Sequence, residues 1–343
     1  MSDLRIARVV GADREELGAW HAVFEAATRH GLEYASPPAE QEIRAHLLGD
    51  DPGQAVEAYG GYLDGRIVAT GLFGMPLMDN LDRAGVGVCT HPDQRNRGYG
   101  TAMLEFLLCR VRESGRALVN ADATTPYDAP PSGAGHPNAD FLLHHGFSFA
   151  LGNVMRVLDL PADGALLDRL GDDAARHHAG AYTLRQWRDR VPDDVLVEFG
   201  DLVGSLMTEA PTGDLVLEQM VFDEQRIRAD EEIMRAAGRT KYCTVAVAPD
   251  GTLAAYSEIG VPSHDPGRLY QWGTLVRPAH RGHRLGVATK VANLRTVQSE
   301  VTDRTLLVTF NAEVNEAMIA VNEAMGFRPV QRLGDYELTL ERG

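Results

Sequence analysis

The chain has 343 residues, 44% hydrophobic and 24% charged, with a formal net charge of −16. That balance belongs to a folded globular protein long enough for two domains, and it excludes a nucleic-acid binder with a broad basic face, because the basic residues cluster only in short turns. No apolar run approaches the roughly 20 residues that span a bilayer, the N-terminus lacks a basic-then-apolar leader pattern, and Cys89, Cys109 and Cys243 form no paired motif, so a cytoplasmic protein without a metal site is expected.

In chain order, Leu4–Val10 reads as a strand and Arg14–His30 as a helix, with Leu17, Trp20, Val23, Phe24 and Ala27 at helical spacing. Glu40–Leu48 is a shorter helix. Val56–Leu63 and Ile67–Met75 are strands about Asp64-Gly65, a hairpin signal. A strand, turn and helix follow over Val86–Leu107, then a buried strand at Ala117–Ala123. Thr124–Pro137 is a loop, Asn138–His145 a helix closed by Gly146, and Phe147–Leu160 supplies the last strands. The polar, Asp-rich stretch 161–180 reads as a linker between a domain at 1–160 and another at 181–343. The order then restarts: strand Tyr182–Trp187, helices Asp193–Met207 and Asp223–Ala237, and paired strands Tyr242–Ala248 and Leu253–Val261. Strand Leu269–Val276 precedes a second strand–turn–helix unit. Strand Thr305–Asn311, helix Asn315–Met325 capped by Gly326, and strand Tyr336–Leu340 complete the chain. This pattern suits an α+β architecture, a mixed and mostly antiparallel sheet flanked by helices in each half.

The two strand–turn–helix stretches are copies. Pro92, Arg95 and Gly100 are matched by Pro278, Arg281 and Gly286, each 186 residues later. A strand entering a tight turn and then a helix leaves backbone N–H groups free at the positive end of the helix dipole. That is a site for a phosphate or pyrophosphate. Glycine lets the turn approach the anion, and Arg95, Arg97, Arg281, His283 and Arg284 add charge.

Arg95–Asn96–Arg97–Gly98–Tyr99–Gly100 resembles motif A of the GCN5-related N-acetyltransferases (GNAT), which holds the pyrophosphate of acetyl-coenzyme A. The second copy, Arg281–Gly286, places Arg284 where the first glycine belongs, which a helical φ/ψ would tolerate. The resemblance covers nearly the whole chain as two tandem GNAT domains, an arrangement similar to that of mycothiol synthase. It implies cofactor contacts at Cys89, Thr90, Arg95, Arg97, Gly98, Tyr99, Gly100 and Thr101. In the second copy it implies Leu275, Val276, Arg281, Gly282, His283, Arg284, Leu285, Gly286, Val287 and Asn311. It also implies that Asn315 contacts coenzyme A. Asn322 falls where many relatives carry a tyrosine that protonates the departing thiolate. In the first domain Leu142 falls at that tyrosine position and Gly135 at the asparagine position.

Acetyl transfer to an amine needs backbone donors for the thioester oxygen, alignment and a base, since an alkylamine with a pKa near 10 is almost wholly protonated at pH 7. A bulged motif strand near Leu275–Val276 or Cys89–Thr90 fits the first need. Glu258, mid-strand in AAYSEIGV, is either the base or an outward solvated glutamate; Asp82 and Asp122 are the lesser candidates of the first domain. Residues 207–215 read as a substrate-facing loop or a plain surface turn. With Glu258, Asn311, Asn315, Asn322 and Tyr336, the second domain is the expected catalytic one. The implied function is acetyl-CoA-dependent N-acetylation of a small-molecule primary amine by direct attack in a ternary complex, with no nucleic-acid or membrane partner and the oligomeric state open. A non-catalytic acyl-CoA-binding module, or an acyltransferase or decarboxylase of the same fold using another acyl group, is the alternative.

Overall fold

A computed structural model describes residues 4–178, 180–211, 213 and 215–341. The chain opens with β1 (Arg5–Val9), α1 (Arg14–Arg29), α2 (Glu40–Leu48), β2 (Gln54–Leu63), β3 (Arg66–Pro76) and β4 (Arg83–Thr90). Then come α3 (Tyr99–Glu113), β5 (Leu118–Pro126), α4 (Pro137–His144), β6 (Ser148–Asp159) and α5 (Gly164–His178). The second half carries β7 (Thr183–Arg188), α6 (Leu196–Gly204), α7 (Leu206–Glu209), α8 (Glu224–Ala236), β8 (Arg239–Val247) and β9 (Leu253–Pro262). It ends with β10 (Arg268–Val276), α9 (Leu285–Glu300), β11 (Leu306–Ala312), α10 (Glu316–Ala324) and β12 (Arg328–Thr339). No helix among the described residues is long and apolar enough to cross a membrane.

Two compact units emerge, Met1–Gly152 with Gln331–Gly343, and Asn153–Val330. In unit 1 the strand order is β1-β2-β3-β4-β5-β12, antiparallel except for β4 against β5. The hairpin between β2 and β3 turns on Asp64 and Gly65, both at positive φ, which matches the twist of the strands it joins. Asp13 caps α1 by accepting from Glu15 N and Glu16 N, and Leu17, Trp20, Val23 and Ala27 form its buried stripe. Helix α3 buries Met103, Leu104, Leu107 and Val111 completely, packed with Phe73, Val86 and Val119.

In unit 2 the order is β7-β8-β9-β10-β11-β6, with β10 parallel to β11 and the other pairs antiparallel. Each unit is therefore completed by a strand from the far part of the chain's own order: β6 pairs with β11, and β12 pairs with β5. Tyr336, grouped by sequence with the second half, consequently lies in unit 1. Residues 164–178, expected within a linker, form α5 instead. Its Leu167, Leu170 and Ala174 make an apolar stripe in an otherwise polar segment and pack in one cluster with Val291 and Leu294 of α9.

Candidate active site

In unit 1, β4 and β5 pair only from Arg83 to Gly85 and from Leu118 to Asn120, then separate. His91 N donates to Val68 O at 2.9 Å on the other side of β4. Because antiparallel hydrogen-bonded pairs alternate, the N–H groups of Gly87 and Cys89 also point toward β3. Those of Val86, Val88 and Thr90 point into the gap that β5 has left. The gap opens into a cavity of about 320 Å³ lined by residues 86, 88–90, 94–96, 98–101 and 121–124, the end of α1 and the start of α4.

The turn that forms one wall is built for an anion. Asn96 and Gly98 adopt positive φ of 60° and 84°. Nothing stands within 4 Å of where a Cβ on Gly98 would be, and α3 begins with no side-chain cap, leaving its first N–H groups free. Arg95 donates to Ala27 O at 3.3 Å, and no carboxylate pairs with Arg97 among the described residues. These features fit the pyrophosphate of a coenzyme A thioester. Thr101 lies on the first turn of α3, its hydroxyl 3.2 Å from His145 Nε2.

Two of the titratable groups lining the cavity, Asp122 and Cys89, have shifted pKa values. Asp122 is exposed to the cavity, and the protein packed around it strips enough solvent to raise its carboxyl above the usual range. Enclosure likewise pushes the Cys89 thiol up to about 11, so at neutral pH it is no thiolate nucleophile. Of these, the sequence pointed only weakly to Asp122, because its role depends on where β4 and β5 part.

The corresponding turn of unit 2 has the same backbone. Gly282 and Arg284 take φ of 87° and 54°, matching Asn96 and Gly98. Arg284 is thus left-handed, not helical as expected, and its guanidinium sits 2.9 Å from Asp173. Its neighbours are occupied too: Arg281 lies 3.2 Å from Glu209 Oε2 and Arg277 2.8 Å from Asp201 Oδ2. Tyr182 OH meets His280 Nδ1 at 3.0 Å, and its ring lies over His283. Carboxylates of the same chain thus pair with three arginines in and beside this turn. α9, like α3, starts uncapped at Leu285, with Gly286 and Val287 in its first turn. Val276 N–H faces the gap between β10 and β11, whereas Leu275 N–H points to β9 and its side chain joins the core. The expected bulge is present in unit 2 between Gln271 and Thr274, three residues earlier than placed, and absent from β4.

The expected catalytic residues of the second half do not converge. Glu258 lies buried beside Lys241, 3.5 Å from its Nζ, while Asp230 takes the same amine at 3.1 Å. Burial raises the Glu258 carboxyl and Lys241 opposes that; burial lowers the Lys241 amine, but the two carboxylates outweigh it and hold it charged. Asn322 is fully buried, accepting from Lys290 Nζ at 2.7 Å and donating to Asn311 Oδ1 at 3.0 Å. Asn315 Oδ1 caps α10 by accepting from Met318 N. Tyr336 OH donates to Ser132 O at 2.7 Å in unit 1, and burial pushes its phenol up to about 12. Within the loop 207–215, residues 212 and 214 lie outside the described residues.

The model of the acetyltransferase (GNAT) family matches residues 20–128. No curated protein matches the sequence. Among solved structures, a tandem GNAT protein from the clavulanic acid biosynthesis pathway, solved without AcCoA, has 25% identity, covers 98% of each chain and superposes with a TM-score of 0.78. A GCN5-related N-acetyltransferase from Sphaerobacter thermophilus shares the fold at 16% identity, with 100% and 98% coverage and a TM-score of 0.65. A putative acetyltransferase from Pyrococcus horikoshii does so at 12%, with 99% and 91% coverage and a TM-score of 0.57. With the duplicated anion turn and the parting parallel strands in both units, these likenesses show an acyltransferase of the GNAT fold, with a family domain at residues 20–128 and two domains of that fold in series.

Proposed function

We propose that the protein is an acetyl-CoA-dependent N-acetyltransferase acting on the primary amine of a small molecule, and that unit 1 carries the reaction. The observation behind this reading is the single cavity wall in which the anion turn, the free N–H groups of Val88 and Thr90, and Asp122 meet. A coenzyme A thioester supplies the activated acyl group. Arg95, Arg97 and the N–H groups at the start of α3 bind its phosphates. Val88 N–H, fixed by the β3 pairing, is placed to stabilise negative charge on a carbonyl oxygen. Asp122, less acidic than a solvated aspartate, takes the amine proton directly or through water. The neutral Cys89 thiol favours direct attack over an acyl-cysteine. That a tandem relative serves a biosynthetic pathway for a small molecule supports a small-molecule acceptor.

Unit 2 fits a binding role better than turnover, since its arginines are paired with its own carboxylates and Glu258 is engaged by Lys241. The test is coenzyme A release with acetyl-CoA and a panel of amines, products read by mass spectrometry, in the wild type and in Gly100→Phe and Gly286→Phe. Loss in the first variant and survival in the second is expected; the reverse outcome would assign the reaction to unit 2.

A further inference from the structure

The two units carry the same elements around their parting strands, so positions can be matched. α9 starts at Leu285 where α3 starts at Tyr99, which matches Val287 to Thr101. Gly146 and Gly326 each follow the residue that closes a helix, which matches His145 to Met325. The first parallel pairs, Arg83 with Leu118 and Arg268 with Leu306, match Asp122 to Phe310. In unit 2, Val287 and Met325 pack in one apolar cluster. In unit 1 the same two places hold a hydroxyl and an imidazole, with Thr101 Oγ1 3.2 Å from His145 Nε2. The fold itself does not need a polar pair here. Unit 1 has one beside its anion turn, and Thr101 lines the cavity.

The hydrogens of this pair can be placed. His145 Nδ1 lies 2.9 Å from Phe141 O, and a carbonyl oxygen only accepts, so Nδ1 carries the hydrogen of the neutral ring. Nε2 is then an acceptor, and Thr101 gives its one hydrogen to it. In that state the hydroxyl offers only lone pairs, which repel a phosphate oxygen. A second proton on the ring reverses the bond: Nε2–H donates to Thr101 Oγ1, and the hydroxyl hydrogen is free to donate to phosphate. Imidazole is the side chain that takes such a proton in the physiological range. The other ionisable groups on the elements around the ring are His136, Asp140 and His144 about α4, Glu105 on α3 and Asp122 on β5. Asp140 accepts from Gly135 N, the His144 ring stands 5.5 Å from that of His145, and no carboxylate pairs with His145 among the described residues. Arg95 and Arg97 of the turn oppose a further proton, and phosphates that neutralise them favour it.

Resting on the reading that the turn of unit 1 holds the phosphates of coenzyme A, we propose that His145 is a positioning residue for the cofactor. It takes a proton from solvent at Nε2 as the pyrophosphate binds, and through Thr101 it turns that proton into a hydrogen bond to phosphate. Thr101 keeps its own hydrogen and only redirects it, so one proton enters for each cofactor that binds to a neutral ring. The coupling is reciprocal: a cofactor that favours the proton is itself held more tightly by the protonated form, so affinity falls as pH rises. Unit 2, with Val287 and Met325 in these places, lacks the device.

The experiment is calorimetry on the full chain with dephospho-coenzyme A, in buffers of different ionisation enthalpy and at several pH values. This ligand keeps the pyrophosphate but lacks the phosphomonoester, which itself titrates at about pH 6. The wild type should take up a substantial fraction of a proton on binding at pH 7, and its affinity should fall about fivefold between pH 6 and pH 8. His145→Gln, whose amide can donate to Thr101 but cannot gain a charge, should bind with no proton uptake and a flat pH profile. Thr101→Val, with His145 in place, should lose most of the uptake. Folding is checked by thermal melting, and Thr101→Val combined with His145→Met, the pair that unit 2 carries, serves if either single variant does not fold. Binding by the wild type without proton uptake, uptake that survives His145→Gln or the double change, or uptake undiminished in Thr101→Val would each overturn the proposal. Failure of the underlying reading shows separately, as no binding of either acetyl-CoA or dephospho-coenzyme A by the wild type.

Discussion

Asp122 and Phe310 stand at matched places on the departing strands of the two units, and the difference in side chain divides their chemistry. Asp122→Asn keeps the shape and the amide acceptor but cannot take a proton. It should lower kcat/KM by about 10²–10³-fold while leaving acetyl-CoA binding within a factor of two. In the wild type, activity should fall with decreasing pH through the folded pKa of Asp122, which lies above the usual aspartate range; a rate unchanged by the substitution would remove this residue from the mechanism. Lys290 makes a second prediction. Its folded pKa, pushed down to about 7, lies below that of an unfolded lysine near 10.4. Between those values the unfolded chain holds more protons, so this group makes stability rise with pH by up to about 1.4 kcal/mol for each pH unit crossed. Below pH 7 both states are charged and the slope vanishes. Lys290→Met should abolish that rise in denaturant titrations between pH 7 and 10, even though Asn322 Oδ1 loses its donor at a cost of about 1 kcal/mol. An unaltered slope would mean that the amine is not buried uncharged.

At the level of elements, the anion turns show what local sequence can carry. Pro92 and Pro278, the arginines that follow and Gly100 and Gly286 act within a few residues of one another, so strand, turn and helix were legible in both halves. The handedness at Arg284 was not legible, because arginine is ordinary in a helical start and the left-handed backbone is imposed by the turn as a whole. At φ 54° a Cβ is strained by roughly 1 kcal/mol. Arg284→Ala retains that strain and loses Asp173, whereas Arg284→Gly loses both. The glycine variant should therefore be the more stable of the two by about 1 kcal/mol in chemical denaturation, the reverse of the order in a right-handed helix. Glu258 and Tyr336 misled for a different reason. Strand alternation gives the face of a side chain but not which element covers that face, nor which sheet a strand joins. Glu258 met Lys241 and Asp230 under α8, and Tyr336 went with β12 to the first unit.

For the molecule as a whole, the strand exchange means that unit 1 is not a continuous piece of chain, whereas unit 2 runs unbroken from Asn153 to Val330. A fragment of residues 1–160 keeps β5 but lacks β12, its partner from Gln331 to Thr339, and exposes a bare strand edge. It should melt well below the full-length protein, and a synthetic peptide of residues 328–341 added in trans should raise its melting temperature by several degrees. A fragment that already melts with the full chain would show that β12 is dispensable. The same exchange sets a timetable for synthesis. When the ribosome has passed residue 160, the cavity wall carrying Asp122 still waits for β12, and β6 still waits for β11. Of the two units, unit 1 is thus begun before unit 2 and completed after it, and until then its open edge is a place for a chaperone to guard.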